Sequence, residues 1–529
     1  MHRPVIMGTR AMVAAAHPLA SMTGLDILKR GGNAVDAAIA TNAVLNVTQP
    51  HMCGIGGDVF YLIYLARTGE IVFLNGSGRA PQGAHPELLR EKGFNSIPPR
   101  SAYAVTVPGC VAAWEDAWEK YGTMPMDELL ADAIKYAEGH PVSYQLASYI
   151  SEHQEVLSRC PETAAIFLPG GRPPHPGDIL QQRDLAATFR LLAREGKKAF
   201  YQGAIAEAIA QTLQAEGAYL TEADLANHTS TWGEPLVSSY RGYNIYQTAP
   251  NSQGLTALLE LNLVENFDLL GMGIDTAVYI HHLVEAKKLA FADRDAYISD
   301  PEFVQIPIER LLSKSYAASR SKEIDPNQVL DIGAGNSLEG DTTYFAIVDG
   351  KGNIVSCIQS IYFPFGSAIT ARGTGILLHN RGAYFALEAD HPNCLAPGKR
   401  TLHTLMASIV TKGGKPCLVF GTMGADAQPQ IHLQVLSRLL DFGWNIQDAI
   451  EAPRWMHGSR SLGGVPRLHL EERYDGSVVE ALRRKGHKIR LLPSWSAEMG
   501  HAQGIIIDQQ RGILMGGADP RGDGYALGY

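Results

Sequence analysis

The chain of 529 residues has few charged residues and no long run of one sign. Charged residues make up 19% of the sequence, and the formal net charge is −9. No basic run exceeds three residues, which argues against the basic stripe of a nucleic-acid-binding protein and against a polybasic membrane-surface patch. Because 45% of the residues are hydrophobic, we expect a large buried core rather than a disordered chain.

Long apolar runs and paired cysteines are also missing. No stretch of about 18 apolar residues occurs, so no membrane-spanning helix is expected, and the first residues lack the apolar segment of a signal peptide. The six cysteines are scattered without a C-x-x-C pair, which argues against a zinc ribbon or a thioredoxin-type motif. Unpaired thiols in a long chain are typical of a reducing compartment, so the sequence predicts a cytoplasmic protein.

Several widespread catalytic motifs are absent as well. The sequence contains no P-loop, no G-x-G-x-x-G after a predicted strand and no G-x-S-x-G nucleophile elbow. His282 and Glu285 share one face of a predicted helix, but no third metal ligand can be identified from the sequence. We therefore expect neither a metal ion nor a cofactor.

Periodicity predicts a chain in which helices alternate with strand pairs. Helices are expected at 18–30, 34–46, 109–121, 126–138, 181–195, 203–216, 277–295, 430–440 and 478–485. Residues 342–348 and 354–360 flank a glycine-containing turn and predict a hairpin whose strands are apolar on both faces. Sheets built from hairpins and covered by helices indicate a layered α/β sandwich.

Short motifs in one order along the chain carry a family resemblance. They are Gly31-Gly32-Asn33-Ala34-Val35-Asp36, Gly54-Ile55-Gly56-Gly57, Val107-Pro108-Gly109, Tyr121-Gly122-Thr123-Met124-Pro125, Ala292-Asp293-Arg294, Asp341-Thr342-Thr343, Pro397-Gly398-Lys399-Arg400 and Ala518-Asp519-Pro520-Arg521. Together these motifs resemble the γ-glutamyltranspeptidase (glutathione hydrolase) family of N-terminal nucleophile hydrolases.

The resemblance implies a four-layer αββα sandwich and a self-cleaving precursor. Thr342 would attack the carbonyl of Asp341, dividing one intertwined catalytic domain into a large segment, 1–341, and a small segment, 342–529. The two fragments would stay together as a heterodimer, and a dimer of these is left open. The new α-amine of Thr342 would serve as the base for its own hydroxyl, with Thr343 and Ser360 in support.

The resemblance also assigns the remaining site residues, although the acyl pocket departs from glutathione hydrolases. The oxyanion hole falls on Gly424 and Ala425, where the family has two glycines. Ser77 replaces the arginine that holds the glutamyl carboxylate, with Arg79 two residues further on. Tyr384 replaces the aspartate that holds the ammonium. The other predicted substrate-binding residues are Arg381, Tyr362, His403 and Thr404.

The expected function is therefore cleavage of a γ-glutamyl amide such as glutathione through an acyl-enzyme on Thr342, with transfer to an amine as a second fate of the acyl group. One alternative is cleavage of the amide of a non-glutamyl acid, as in the oxamate amidohydrolase and cephalosporin acylase branch. A second alternative, of another class, is an inactive relative that serves as a binding or structural module. No nucleic-acid or membrane partner is expected.

Overall fold

The computed structural model describes residues 3–332, 340–458 and 465–529. Its two large sheets are antiparallel, and they lie face to face between helical layers. In chain order the strands are β1 (Ile6–Gly8), β2 (Met12–Ala15), β3 (Asp58–Leu65), β4 (Glu70–Gly76), β5 (His140–Pro141), β6 (Ile179–Leu180), β7 (Thr231–Gly233), β8 (Leu236–Tyr240), β9 (Tyr243–Gln247), β10 (Asp341–Val348), β11 (Ile354–Tyr362), β12 (Thr370–Ala371), β13 (Ile376–Leu377), β14 (Ser408–Lys412), β15 (Lys415–Thr422), β16 (Trp455–Gly458), β17 (Arg467–Glu471), β18 (Ile489–Leu492), β19 (Ala502–Asp508), β20 (Ile513–Ala518) and β21 (Tyr525–Gly528).

The helices surround these sheets, and each of the nine helices predicted from periodicity has a counterpart among them. In chain order they are α1 (Pro18–Lys29), α2 (Ala34–Thr48), α3 (Pro86–Glu91), α4 (Cys110–Tyr121), α5 (Met126–Glu138), α6 (Tyr144–Glu152), α7 (Gln154–Leu157), α8 (Pro161–Phe167), α9 (Arg183–Glu195), α10 (Lys197–Gln202), α11 (Ala204–Ala215), α12 (Glu222–Ala226), α13 (Gly254–Val264), α14 (Leu269–Met272), α15 (Ala277–Tyr297), α16 (Ile308–Leu312), α17 (Lys314–Arg320), α18 (Ala427–Leu440), α19 (Ile446–Glu451) and α20 (Gly476–Arg484).

Each of the two large sheets has seven strands. The first sheet has the order β1-β20-β19-β15-β14-β9-β8, and the second has the order β21-β2-β10-β11-β3-β4-β7. Both sheets combine strands from before and after Thr342. In the second sheet β10 pairs with β2 from the earlier part of the chain and with β11 from the later part. A cut between Asp341 and Thr342 would therefore leave two fragments that share both sheets.

Three apolar clusters account for the layers. Side chains between the sheets form one cluster, to which each sheet contributes: Met12, Phe60, Tyr344, Ile409, Val419 and Ile505. A second cluster joins the outer face of the second sheet to helices that include α1, α2, α4, α5 and α9. A third joins the outer face of the first sheet to α13, α15, α18, α19 and α20. This arrangement confirms the predicted four-layer αββα sandwich.

The N-terminal motif has a structural role in this fold. The Asn33 side chain accepts hydrogen bonds from the N–H groups of Val35 (2.8 Å) and Asp36 (3.1 Å), and so caps α2. Asp36 also accepts a bond from the N–H of Thr123 at 2.8 Å. Because a buried carboxylate is stable only when its oxygens are bonded, these contacts connect two of the motifs and hold α2 against the connection from α4 to α5.

Candidate active site

The predicted nucleophile lies at the start of a central strand. Thr342 and Thr343 are the second and third residues of β10, and their exposed fractions are 2% and 1%. The Thr343 hydroxyl donates to Gln49 Oε1 at 3.1 Å, which connects this strand to the end of α2. The peptide between Asp341 and Thr342 is therefore held in a rigid, buried part of the second sheet, and Asp341 lines a cleft at its edge.

A β-bulge turns the Ser360 side chain toward the peptide bond between Asp341 and Thr342. Asp341 pairs with Tyr362 and Thr343 pairs with Gln359, so β11 carries one extra residue at this point. Bulges of this kind redirect side chains next to active sites. The Ser360 hydroxyl donates to the carbonyl oxygen of Asp341 at 2.6 Å, which is the carbonyl that Thr342 would attack.

Two donors orient that serine. Ser360 Oγ accepts hydrogen bonds from the Tyr362 N–H at 2.7 Å and from Arg381 Nη2 at 3.4 Å. A hydroxyl has one proton to give and two lone pairs to accept with. With both lone pairs engaged by donors, the proton points at the Asp341 carbonyl and polarises it.

Both residues of the predicted oxyanion turn have a positive φ. Gly424 has φ 129° and Ala425 has φ 45°, between the end of β15 and the start of α18. The left-handed region is costly for alanine, and Gln253 stabilises it by donating to the Ala425 carbonyl at 2.8 Å. A Cβ placed on Gly340 would lie 3.1 Å from Ala425 Cβ, so the turn contacts the segment just before the cleavage site.

Arg381 lies at the centre of the predicted acyl pocket. Its Nη1 donates to Thr404 Oγ1 at 2.9 Å, and its guanidinium carbon lies 4.2 Å from the centroid of the Tyr362 ring. The Tyr362 and Tyr384 rings are 5.8 Å apart between centroids. Burial lowers the pKa of Arg381, but a guanidinium stays protonated in proteins. The structure thus brings Arg381, Tyr362, Tyr384 and Thr404 together beside Ser360.

Tyr384 and Arg294 both bind Asp426. The Tyr384 hydroxyl donates to Asp426 Oδ1 at 2.9 Å, and Arg294 Nη1 forms a buried ion pair with the same oxygen. Arg294 also donates to Gln253 Oε1 at 3.1 Å, which links it to the oxyanion turn. The carboxylate of Asp426 is therefore paired with a cation inside the protein. The sequence motif that contains Arg294 was recognised, but this contact was not predicted.

His403 belongs to a buried network with Asp58 and His379. His403 Nε2 lies 3.0 Å from Asp58 Oδ2, and its Nδ1 accepts a bond from the Leu405 N–H at 3.2 Å. His379 Nδ1 is 3.6 Å from the same carboxylate oxygen. Burial alone would raise the pKa of Asp58, but attraction to His379 and the hydrogen bond from His403 outweigh it and lower that pKa to about 2.

The contacts of His403 bear on its predicted role as a substrate-binding residue. Both ring nitrogens of His403 have partners within the protein, so this residue supports the pocket wall rather than presenting a free donor. Burial, followed by repulsion from Arg381, lowers the pKa of His403 to about 3, which keeps the ring neutral at pH 7. Asp58 was not predicted as a site residue, although it directly follows the glycine-rich motif that ends at Gly57.

Arg79 lies apart from this cluster. Its Nη2 pairs with Glu302 Oε1 at 2.7 Å, and its Nη1 donates to the Gly398 carbonyl at 3.2 Å. Ser77, at the position of the family's arginine, donates to Asn75 Oδ1 at 2.6 Å. Among the predicted substrate-binding residues, Arg79 is thus the one that the structure separates from Arg381 and Tyr384.

A cleft of about 690 Å³ reaches the cleavage site from outside. Asp341 and Gly424 line it together with Tyr144, Glu152 and Glu498. Cavities of this size accommodate whole small molecules. The cleft therefore opens beside Asp341, the residue that directly precedes the predicted nucleophile.

No helix within the described ranges has the length and apolar character to cross a membrane.

Comparisons with known proteins agree with this geometry. The family model described as Gamma-glutamyltranspeptidase matches residues 20–529. The glutathione hydrolase-like YwrD proenzyme of Bacillus subtilis is 43% identical over 529 residues, covering 99% of both chains. The oxamate amidohydrolase proenzyme of Klebsiella pneumoniae is 37% identical over 530 residues, again covering 99% of both.

The similarity extends to solved structures. The crystal structure of cephalosporin acylase from Bacillus halodurans superimposes with a TM-score of 0.94 at 40% identity, covering 100% of this chain and 97% of that one. The family model and these relatives each span nearly the whole chain. The chain therefore belongs to the gamma-glutamyltranspeptidase family of N-terminal nucleophile amidohydrolases, as the sequence motifs predicted.

Proposed function

We propose that this protein is a self-processing amidohydrolase whose nucleophile is Thr342, acting on the amide of a small, neutral or anionic acid. The observation that carries the processing step is the bond from Ser360 to the Asp341 carbonyl at 2.6 Å. A hydroxyl whose proton points at a peptide carbonyl stabilises the negative charge that develops when that carbonyl is attacked.

The first reaction is cleavage of the chain. Thr342 Oγ attacks the Asp341 carbonyl carbon, and Ser360 donates to the resulting oxyanion. The C–N bond then breaks, the nitrogen of Thr342 takes up a proton, and residues 1–341 are left as an ester on the Thr342 oxygen. Water hydrolyses this ester, releasing the Asp341 carboxylate and leaving Thr342 with a free α-amine and a free hydroxyl.

The second reaction is turnover of a substrate amide. The new α-amine has an ordinary pKa of about 7.7–8, so near neutral pH a useful fraction is unprotonated and accepts the hydroxyl proton. The N–H groups at Gly424 and Ala425 would donate to the tetrahedral oxyanion. The amine of the substrate leaves with a proton, and water then releases the acid from the acyl-enzyme.

The charges in the predicted acyl pocket favour a neutral or anionic acyl group over a γ-glutamyl group. The buried cation of Arg381 lies 3.4 Å from Ser360 Oγ, and a carboxylate or carbonyl on the acyl group would be attracted to it. A γ-glutamyl group brings an ammonium, which needs a carboxylate partner. Asp426 is engaged by Arg294 and Tyr384, and Asp58 by two histidines.

A γ-glutamyl amide stays as the second candidate, because glutathione hydrolase proenzymes are among the relatives, such as that of Bacillus subtilis at 36% identity over 555 residues. Binding it here would require Asp426 to exchange Tyr384 or Arg294 for the substrate's ammonium. Two charge-assisted hydrogen bonds, worth roughly 1.5–3 kcal/mol each, are at stake in that exchange.

The test compares the two acid classes on one enzyme preparation. Processed wild-type protein is assayed with oxamate and with γ-glutamyl-p-nitroanilide, and Thr342→Ala serves as the blank for both. We expect a higher kcat/KM for the anionic amide. A preference for the γ-glutamyl substrate would reject the proposed acyl group, and a wild-type chain that stays uncut would favour the inactive binding module.

A further inference from the structure

Two histidines and a glutamate meet in the helical layer over the first sheet, outside the site described above. His281 and Glu285 are four residues apart on one face of α15, and His487 lies in the connection from α20 to β18. One ligand atom from each residue lies within 4.8 Å of the other two, and all three residues are buried. His281 precedes Arg294 by 13 residues, so at 1.5 Å per residue the cluster is roughly 20 Å along the helix from the acyl pocket.

The hydrogen bonds around the cluster leave a lone pair facing its centre. His281 Nε2 is 2.7 Å from the carbonyl oxygen of Asp325, which accepts a hydrogen bond from that nitrogen. His281 Nδ1 therefore carries a lone pair, and it faces His487 Nε2 at 2.8 Å. Metal-binding histidines are oriented in this manner, with the second ring nitrogen donating to a carbonyl or carboxylate.

We propose that His281 Nδ1, His487 Nε2 and the Glu285 carboxylate bind a divalent transition metal, with Zn²⁺ as the best match. Two imidazoles and one carboxylate form an established zinc donor set, with a fourth position left for water. Ligand nitrogens about 2.0–2.1 Å from a tetrahedral ion are about 3.3–3.4 Å apart. The two rings would separate by a few tenths of an ångström, and His487 would carry its proton on Nδ1.

The third proposed ligand is held in place by the backbone. Glu285 Oε2 accepts a bond from the Leu330 N–H at 2.7 Å, which fixes the carboxylate.

The ammonium of Lys288 would compete with a metal ion for the Glu285 carboxylate. Its ammonium lies 2.8 Å from Glu285 Oε1 and donates to the Leu330 carbonyl at 3.3 Å. A bound divalent cation would share Glu285 with this ammonium and repel it. Replacing Lys288 by methionine, which keeps most of the side-chain volume, is therefore expected to strengthen metal binding.

The site would also join the two fragments. His281 and Glu285 belong to residues 1–341 and His487 to residues 342–529, a consequence that rests on the cleavage proposed above. Both large-fragment ligands contact the stretch that leads toward the cleavage site, His281 at Asp325 and Glu285 at Leu330. A metal here would hold that stretch against the small fragment.

The experiment measures metal content and metal-dependent stability of the full protein. Wild type is purified without a metal-chelating column, its metals are determined by mass spectrometry, and the stripped protein is titrated with Zn²⁺ during thermal unfolding. We expect about one zinc per chain and a melting temperature that EDTA lowers and Zn²⁺ restores. His487→Gln keeps a donor toward His281, and we expect it to bind Zn²⁺ at least tenfold more weakly, because loss of even a second-shell partner costs about 10–100-fold.

Two controls make the result specific. His282→Gln changes the neighbouring histidine, whose Nδ1 is 2.8 Å from the Val278 carbonyl and which lies outside the cluster, and it should leave zinc affinity unchanged. The uncut Thr342→Ala chain should bind zinc like wild type, which separates this proposal from that of processing. Absence of stabilisation by Zn²⁺, or equal affinity in wild type and His487→Gln, would overturn the metal site.

Discussion

Removal of the Ser360 hydroxyl tests the processing mechanism most directly. In Ser360→Ala, the Asp341 carbonyl loses the donor that lies 2.6 Å from its oxygen. Removing one donor from an oxyanion site typically slows a reaction by about 10²–10³-fold, or about 2.7–4 kcal/mol. We therefore expect chain cleavage to slow by that factor. Ser360→Thr keeps the hydroxyl and should remain within about tenfold of wild type.

The assay is the fraction of intact chain over time, measured by intact mass after a pulse of synthesis. Ser356→Ala is the matched control, since it removes another fully buried hydroxyl from β11, one that donates to the Ser408 carbonyl at 3.1 Å. It should lower the melting temperature without slowing cleavage. Folded Ser360→Ala protein that matures at the wild-type rate would refute the role given to this serine.

Three further predictions concern the nucleophile, the acyl pocket and the pH dependence of stability. Thr342→Ala should abolish both cleavage and amidase activity, whereas Thr342→Ser should retain some of each; mass spectra and substrate assays check this, and activity in the alanine variant would rule out the nucleophile. Arg381→Gln should lower kcat/KM for an anionic amide by about 10–100-fold, matching a charge-assisted bond of roughly 1.5–3 kcal/mol, with a smaller effect on a neutral amide; equal losses would argue against charge recognition. Asp58 has its folded pKa lowered from 3.8 to about 2, so its carboxylate stabilises the fold above pH 3.8, and about 2 kcal/mol is lost as the pH falls toward 2. In Asp58→Asn, denaturant unfolding should lack that acid-dependent loss, and an unchanged pH profile would contradict it.

The amphipathic helix α5 could be predicted closely, but the buried helix α13 could not. The predicted helix at 126–138 has the bounds of α5, because one apolar stripe faces the core and one polar stripe faces solvent. In contrast, α13 was not predicted: all of its residues from Gly254 to Val264 are buried. A helix covered on every side has no polar stripe, and its apolar run resembles that of a buried strand.

Short strands were missed for a related reason. Met12–Ala15 forms β2 beside β10. Four apolar residues in a row show no alternation of apolar and polar side chains that would distinguish a strand from another buried segment. Its partners Ala346 and Ile347 are more than 300 residues away in the sequence. Pairing at such a separation is decided by the packing of the whole sandwich and not by local preference.

The sequence by itself determined the family and the layered fold, because these depend on ordered motifs and on hydrophobic periodicity, and it predicts Thr342 as the nucleophile. Only the tertiary structure decided which polar groups face the reacting peptide. Ser360 reaches Asp341 through a bulge, and Asp426 is engaged by Arg294, which lies 132 positions earlier in the chain. Such contacts combine strands and helices that are distant in sequence, and a buried charge is stable only where its partner is placed within hydrogen-bond distance. That placement is a property of the packed layers, so the partners of Asp426 could be identified only from the folded molecule.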